Sequence, residues 1–330
     1  MKTPSFWQSR LDPRSLLLVP LGWLWCAVAR RRLQAYRSGD KHAERLPVPV
    51  IVVGNVTVGG SGKTPLTHWL ALRLREAGWR PAILSRGYGA SVEGSPRIVL
   101  GDSSPADVGD EPLLLKRRLG DIDVIVHPQR VLAGRVAVER GADVLLLDDG
   151  LQHLQLVRDI EIAVLDGARG LGNARCLPAG PLREPAQRLS EVDAVVALGQ
   201  PGEGQWGMRL VPGEAINLCD GTRRPLADFT AVACDALAGI GHPERFFGML
   251  RDLGLGIQVH PFADHHPFSP ADLAPFSQRP LLMTEKDAVK CRSFARANHW
   301  YVPVEAELDA GFADFILSCL ETLRDGQTPS

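Results

Sequence analysis

The chain has 330 residues, 45% of them apolar, which allows one large or two ordinary domains with a substantial core. Lysine plus arginine (37) and aspartate plus glutamate (38) nearly cancel, so the formal net charge of −1 argues against a generally basic nucleic-acid binder and names no other partner. Six cysteines, at 26, 176, 219, 234, 291 and 319, form no C-x-x-C pair and no zinc-ligand spacing, and are expected as reduced, mostly buried thiols.

The balance of charge hides an uneven start, for residues 1–45 carry nine Lys/Arg against three acids. Leu16 to Ala29 is almost wholly apolar, with Trp23 and Trp25 inside, and Phe6 and Trp7 before it. Arg10 and Arg14 stand on one flank and Arg30-Arg31-Arg32 on the other. Interrupted by Pro20 and Gly22, this stretch falls short of the ~20 residues that a spanning helix needs. Ala27-Val28-Ala29 mimics a secretory cleavage site, but three arginines follow at once. A helix packed on its own domain is one reading. Tryptophans with a basic flank favour the other, an interfacial helix on an anionic membrane.

Val48 to Val53 is a short β-branched run, as expected of a buried strand. Gly54-Asn55-Val56-Thr57-Val58-Gly59-Gly60-Ser61-Gly62-Lys63-Thr64 follows, and then a helical pattern through Leu66, Leu70 and Leu74. Strand, glycine-rich loop, Lys-Thr and helix are the order of a phosphate-binding P-loop. Thr57 to Thr64 would supply backbone N–H groups to a nucleoside triphosphate. Lys63 would reach the β- and γ-phosphates, and the Thr64 hydroxyl would ligate Mg²⁺. Thr57 stands where the strict pattern has glycine, so the loop is a variant. Pro65 suits a first helical turn, which needs no N–H there.

Pro81 to Leu84 reads as the next strand, running into Ser85-Arg86-Gly87-Tyr88-Gly89 at the end of a sheet where ligands bind. Arg86 is either a bidentate phosphate clamp or a surface arginine. Asp110 and Glu111 open a helix; they are either dipole-favoured acids or carboxylates offered to a metal or a substrate hydroxyl. Asp123 to Val126 is a further strand, followed by His127-Pro128-Gln129-Arg130 and a helix to about Arg140. Val144 to Leu147, ending in Asp148-Asp149-Gly150-Leu151-Gln152-His153, has the form of a Walker B strand, with Asp148 facing Mg²⁺ opposite Thr64. Strands at 160–166 and 192–198 complete a βα alternation that means a parallel sheet covered on both faces.

Gly, Pro and polar residues from 201 to 213 mark a boundary. The expected organisation is a membrane-interface segment at 1–45, a P-loop core at 46–212 and a smaller C-terminal α/β lobe at 213–330. In that lobe 229–233 and 256–259 read as strands. Asp264-His265-His266 and Thr284-Glu285-Lys286-Asp287 are its chemical stretches. The latter loosely resembles a GTPase base-reading motif with the spacing spoiled, which keeps a nucleotide-dependent switch as a rival reading.

Taken together, these segments resemble the tetraacyldisaccharide 4′-kinase family of lipid A biosynthesis, in family order over nearly the whole chain. The resemblance rests on Gly54 to Pro65, Ser85 to Gly89, Gly109 to Pro112, Asp148 to His153, Leu177 to Glu184, Asp264 to His266 and Thr284 to Asp287. Leu151 departs from the phenylalanine of the family motif. The resemblance implies transfer of the ATP γ-phosphoryl group to the 4′-hydroxyl of a tetraacyl glucosamine disaccharide 1-phosphate, with Mg²⁺. The expected place is the cytoplasmic face of the bacterial inner membrane, the enzyme being peripheral or monotopic, with no nucleic acid and no obligate protein partner. It implies Asp110 as base, oriented or charge-tuned by His265, with a shared proton site or His265 acting alone as the alternatives; Lys63 and Asp149 are also catalytic, and Thr64, Asp148 and Glu111 stand at the metal. Arg86, Arg130, Gln152, His153 and Asp264 are expected to face substrate.

Overall fold

The computed structural model describes residues 4–90 and 94–326. Nine strands form one sheet in the order Val304–Leu308, Trp206–Pro212, Ala194–Leu198, Ile160–Asp166, Val50–Gly54, Val144–Asp148, Pro81–Ser85, Asp123–Val126 and Arg97–Ile98. All pairings but the two at the edges are parallel. The central strands carry unbroken apolar runs because helices cover both faces; every residue of Val50–Gly54 and of Val144–Asp148 is buried. Register places Val53 beside Asp148. The P-loop and the acidic turn therefore leave the same edge of the sheet, at the carboxyl ends of neighbouring strands.

The second sheet has six strands in the order Arg223–Arg224, Ala215–Asn217, His299–Val302, Leu281–Thr284, Cys234–Ala238 and Ile257–Pro261. The expected strand at 229–233 is instead a 3-10 turn, Leu226–Phe229, and the strand begins at Cys234. Phe229 is an anchor: its ring packs edge-on against Trp300 at 5.4 Å. An apolar run that long carries no mark of which part pairs.

The chain also crosses back. Val304–Leu308 pairs antiparallel with Trp206–Pro212 in the first sheet, and the helix Phe312–Arg324 buries Phe312, Ile316 and Leu320 in the first core. The expected lobe at 213–330 thus ends near 303 as a sheet, and two segments tie the lobes together.

The N-terminal helix, Pro13–Arg37, is longer than its apolar stretch, and Asp12 caps it by accepting from the Arg14 N–H at 2.9 Å. It is not a core helix. Only Ser15 and Gly22 are buried, while Leu17 is 82% exposed and Trp23 73%. Its inner edge leans on the proline-rich loop, where the Ser15 hydroxyl donates to Ala179 O at 2.7 Å and Trp25 Nε1 donates to Arg183 O at 2.9 Å. No described helix is long and apolar enough to cross a membrane.

Close approach here overturns one expectation. Cys26 on this helix and Cys176 in the loop form a disulfide across 150 residues, with Cα atoms 5.9 Å apart. Cys219, Cys234, Cys291 and Cys319 are free, and only Cys234 and Cys291 are buried. The pairing is tertiary and has no signature in spacing.

Candidate active site

A cleft of about 1860 Å³ lies between the lobes, lined by the P-loop, the acidic turn, the helix at Asp110 and the loops at 241–245 and 264–265. Two glycines in left-handed conformation shape the P-loop, Gly59 at φ 107° and Gly62 at φ 93°. A Cβ on Gly62 would lie 2.9 Å from Met208 Cε. The buried Asn55 amide braces the loop from within, donating to Ser61 Oγ at 3.1 Å and Gly59 O at 3.2 Å. Val58 to Thr64 line the cleft. Thr57 does not; its backbone bridges to Leu182, which fixes the loop to the proline-rich segment. The bonds of that bridge are Val58 N–H to Pro181 O at 2.9 Å and Arg183 N–H to Val56 O at 2.7 Å, so it is the Val58 N–H that is already engaged.

Asp148 ends its strand 2% exposed, with Oδ1 accepting from the Thr67 hydroxyl at 3.0 Å and Oδ2 facing the Thr64 hydroxyl at 3.4 Å. Burial, then the nearby Glu111 and Asp149 charges, push its pKa up to about 7. Asp149, at φ 54°, turns the other way. Burial opposes its charge, but Lys63 at 3.7 Å and Arg183 at 3.2 Å outweigh that and hold its pKa below the usual carboxylate range.

Asp110 begins the helix Asp110–Leu119 after Gly109 at φ 91°. Its side chain is buried, and Oδ2 meets His265 Nδ1 from the second lobe at 3.0 Å. Burial raises the Asp110 pKa, yet the His265 hydrogen bond and the Lys286 and Lys290 charges leave it lowered overall. His265 is raised, chiefly by the same bond. Its backbone sits at φ 58°, a conformation that histidine adopts at a cost. The expected pair across the cleft is therefore assembled.

Other expected residues divide. Glu111, expected at the metal, is engaged by Lys286 Nζ at 2.8 Å. Gln152 donates to Asn55 O at 3.1 Å and to Glu184 at 2.8 Å, so its amide braces the wall of the cleft. Asp264 lies 3.5 Å from Lys286 Nζ, and its Oδ1 has no hydrogen-bond partner among the described residues. Arg130 is buried, with Nε unpartnered among the described residues; burial and then Arg86 lower its pKa to about 10. His153 is neutral, its pKa lowered to about 3 by burial and the Arg130, Arg158, Arg32 and Arg86 charges. Arg86, Arg130, Arg32 and the neutral His153 all line the cleft, and the Asp149 and Asp148 charges act on Arg130.

Thr67, Arg183 and Arg32 were not given roles by the sequence. Thr67 lies three residues beyond Thr64, one turn along the same helix face, which is the signal that was there to read. Arg183 sits inside a segment quoted for the resemblance. Arg32 is one of three adjacent arginines, and only the tertiary contact singles it out.

The model of the family described as tetraacyldisaccharide-1-P 4′-kinase matches residues 14–321. The chain belongs to that family. It is 50% identical over 317 residues to the tetraacyldisaccharide 4′-kinase of Nitrosococcus oceani, covering 96% of this chain and 93% of that protein. It is 49% identical to that of Stenotrophomonas maltophilia, covering 98% of each. The crystal structure of LpxK from Aquifex aeolicus in complex with ATP superposes with a TM-score of 0.79 at 30% identity, covering 93% of this chain and 99% of that one. Among the described residues, no three His, Cys, Asp or Glu side chains gather as a metal cage.

Proposed function

We propose that this member of the tetraacyldisaccharide 4′-kinase family transfers the ATP γ-phosphoryl group to the 4′-hydroxyl of a tetraacyl glucosamine disaccharide 1-phosphate. The observation that carries the reading is the Asp110–His265 contact, 3.0 Å long, made across the cleft that the P-loop also lines. A sugar hydroxyl is a weak nucleophile, and an ionised, oriented carboxylate beside the γ-phosphate answers that need. The acceptor's O–H bond breaks, its proton passes to an Asp110 oxygen, its oxygen bonds the γ-phosphorus, and the bond to the β-bridging oxygen breaks to release ADP. Lys63 and the loop amides stabilise the charge on the β- and γ-phosphates. Asp149 and Arg183 hold Lys63 in place. Because the pair needs both lobes, the site is complete only when they meet, which limits loss of ATP to water.

The site also suits Mg²⁺. Asp148 is a carboxylate whose pKa is pushed up to about 7 by burial, and then by the Glu111 and Asp149 charges, against the pull of Lys63. With Thr64 it offers the one or two protein oxygens that Mg²⁺ takes beside phosphate. When bound, the cation offsets charge on the β- and γ-phosphoryl oxygens. Thr67 fixes the Asp148 carboxylate for that role, and Glu111 contributes through the field rather than as a ligand, being tied to Lys286.

Arg86, Arg130 and His153 would face a substrate phosphate, and Gln152 and Asp264 shape the cleft around them. Leu17, Trp23, Leu24 and their neighbours on the N-terminal helix would enter the membrane interface, at the cytoplasmic face of the inner membrane. Four acyl chains stay in the bilayer because exposing them costs about 0.8 kcal/mol per CH₂. The switch reading fails on Asp287. It is fully buried, accepting from Gly239 N at 2.8 Å and from the Thr284 hydroxyl at 2.6 Å, so it reads no base.

The test is transfer of labelled phosphate from ATP to the disaccharide monophosphate in detergent micelles. Product that appears only with lipid, in step with ATP consumed, is expected. ATP hydrolysis that ignores the lipid would restore the switch.

A further inference from the structure

Thr284 caps the helix Glu285–Cys291 and Asp287 braces it, but Lys286, between them, points into the cleft. Its ammonium, 17% exposed, meets Glu111 Oε1 at 2.8 Å, His265 Nε2 at 3.2 Å and Asp264 Oδ1 at 3.5 Å. Burial opposes its charge, but Glu111, Asp110 and Asp264 more than offset that, and the pKa lies above the ordinary lysine value. The charged form of Lys286 is favoured.

An ammonium has three donors and no acceptor. An imidazole nitrogen held at hydrogen-bond distance from it must present a lone pair. Nε2 is that nitrogen, so the ring proton belongs on Nδ1, which faces the Asp110 carboxylate. The bond to Asp110 favours a second ring proton, but on Nε2 it would point at the Lys286 ammonium 3.2 Å away, whose charge opposes it. The opposite tautomer would set donor against donor at Lys286 and lone pair against lone pair at Asp110. Nor does an Nε2–H have another partner: the Asp264 oxygen is 3.8 Å away, too far for a hydrogen bond. Tyr88 lies against the ring at 5.1 Å between centroids, and Lys290 approaches Asp110 Oδ2 only to 3.9 Å.

We propose, on the phosphoryl-transfer reading above, that Lys286 is a positioning residue that fixes His265 as the neutral Nδ1–H tautomer, so that this N–H orients Asp110 toward the acceptor hydroxyl. Lys286 also grips Glu111, the neighbour of Asp110 on the other lobe. One side chain therefore couples lobe contact to the tautomer: as the lobes part, Lys286 loses Glu111 and His265 loses Asp110 together.

The test is the ring-nitrogen spectrum of full-length protein labelled with ¹⁵N-histidine in detergent, with His265 assigned from the peaks lost in His265→Gln. Wild type is expected to show a protonated Nδ1 and a bare Nε2, and this needs no variant. Lys286→Met is expected to lose that pattern and to lower kcat by ~10- to 100-fold, less than the ~10²–10⁴ a positioned base supplies outright. KM for ATP and lipid should stay within about threefold, since binding groups are untouched. Lys286→Arg, which keeps a donor cation, should retain the Nδ1–H pattern and most of kcat. A wild-type ring protonated on Nε2, or a Lys286→Met protein that keeps the Nδ1–H pattern, overturns the proposal. A wild-type Nδ1–H ring in a protein that phosphorylates no lipid overturns the kinase reading and the positioning role, and leaves the tautomer standing.

Discussion

Asp148 shows how a single residue stores the requirement for its partner. Its folded pKa of about 7 exceeds the ordinary 3.8, so between those values the native state binds more protons than the unfolded chain. Stability of the nucleotide-free protein therefore falls as pH rises through that window. Asp148→Asn removes the buried charge and should raise stability at pH 8 by about 1–3 kcal/mol while changing little near pH 4. Thermal unfolding at the two pH values checks it, and an unchanged or lower midpoint at pH 8 would contradict it. His153 obeys the same rule with the opposite sign, since burial and neighbouring arginines keep it uncharged. Neither property is written in the sequence. DDGLQH shows which residues are gathered, but the crowding of Glu111 against Asp148 arises only when two helices and two strands converge.

At the scale of elements, the P-loop with its strand and helix was the most legible feature, because glycine spacing and β-branched runs are local signals. Leu151 shows how close the packing behind them is. It is fully buried, and a Cβ on Gly54 would lie 2.6 Å from Leu151 Cγ and 2.9 Å from Leu151 N. Gly54→Ala should therefore destabilise the protein by about 1–3 kcal/mol and weaken ATP binding, because the displaced strand end carries the loop. Chemical denaturation and ATP titration read both, and a variant as stable as wild type would show that the turn at 150–153 yields freely. The strand displaced from 229–233 to 234–238, the Cys26–Cys176 disulfide and the return of Val304–Leu308 to the first sheet were not legible. Each is fixed by what lies beside it in space, and a single sequence holds no trace of that.

For the whole molecule, two lobes meet over one cleft and a third element, the N-terminal helix, presents apolar residues outward. Arg118 joins the lobes by pairing with Glu285 at 3.7 Å, and it also donates to Val304 O at 2.9 Å and pairs with Glu305 on the strand that returns to the first sheet; Arg245 joins them by donating to Asp166 at 2.6 Å. The helix is tied to the body along its inner edge by the Cys26–Cys176 disulfide and by the hydrogen bonds of Ser15 and Trp25. Its exposed leucines and tryptophans are a burden in water and an asset at a bilayer. Leu17→Glu with Leu24→Glu should reduce co-sedimentation with anionic vesicles by about tenfold or more, since each buried leucine contributes about 1.5–3 kcal/mol. Stability should change little, both side chains being exposed. Undiminished vesicle binding would place the membrane contact elsewhere. The stretch at 201–213, expected from its composition as a boundary, holds the strand Trp206–Pro212 of the first sheet, whereas the facing of Asp110 by His265 was reached through resemblance and needed the fold to become geometry.

The central claim is that Asp110 takes the acceptor's proton. It is tested most directly by a single turnover: enzyme pre-loaded with labelled ATP is mixed with the lipid acceptor, wild type beside Asp110→Asn. Wild type should transfer the label, and the variant should do so ~10²–10⁴-fold more slowly while binding ATP within about threefold of wild type. Transfer by Asp110→Asn at close to the wild-type rate would contradict the account, for then the carboxylate that His265 and Lys286 converge upon does no proton transfer.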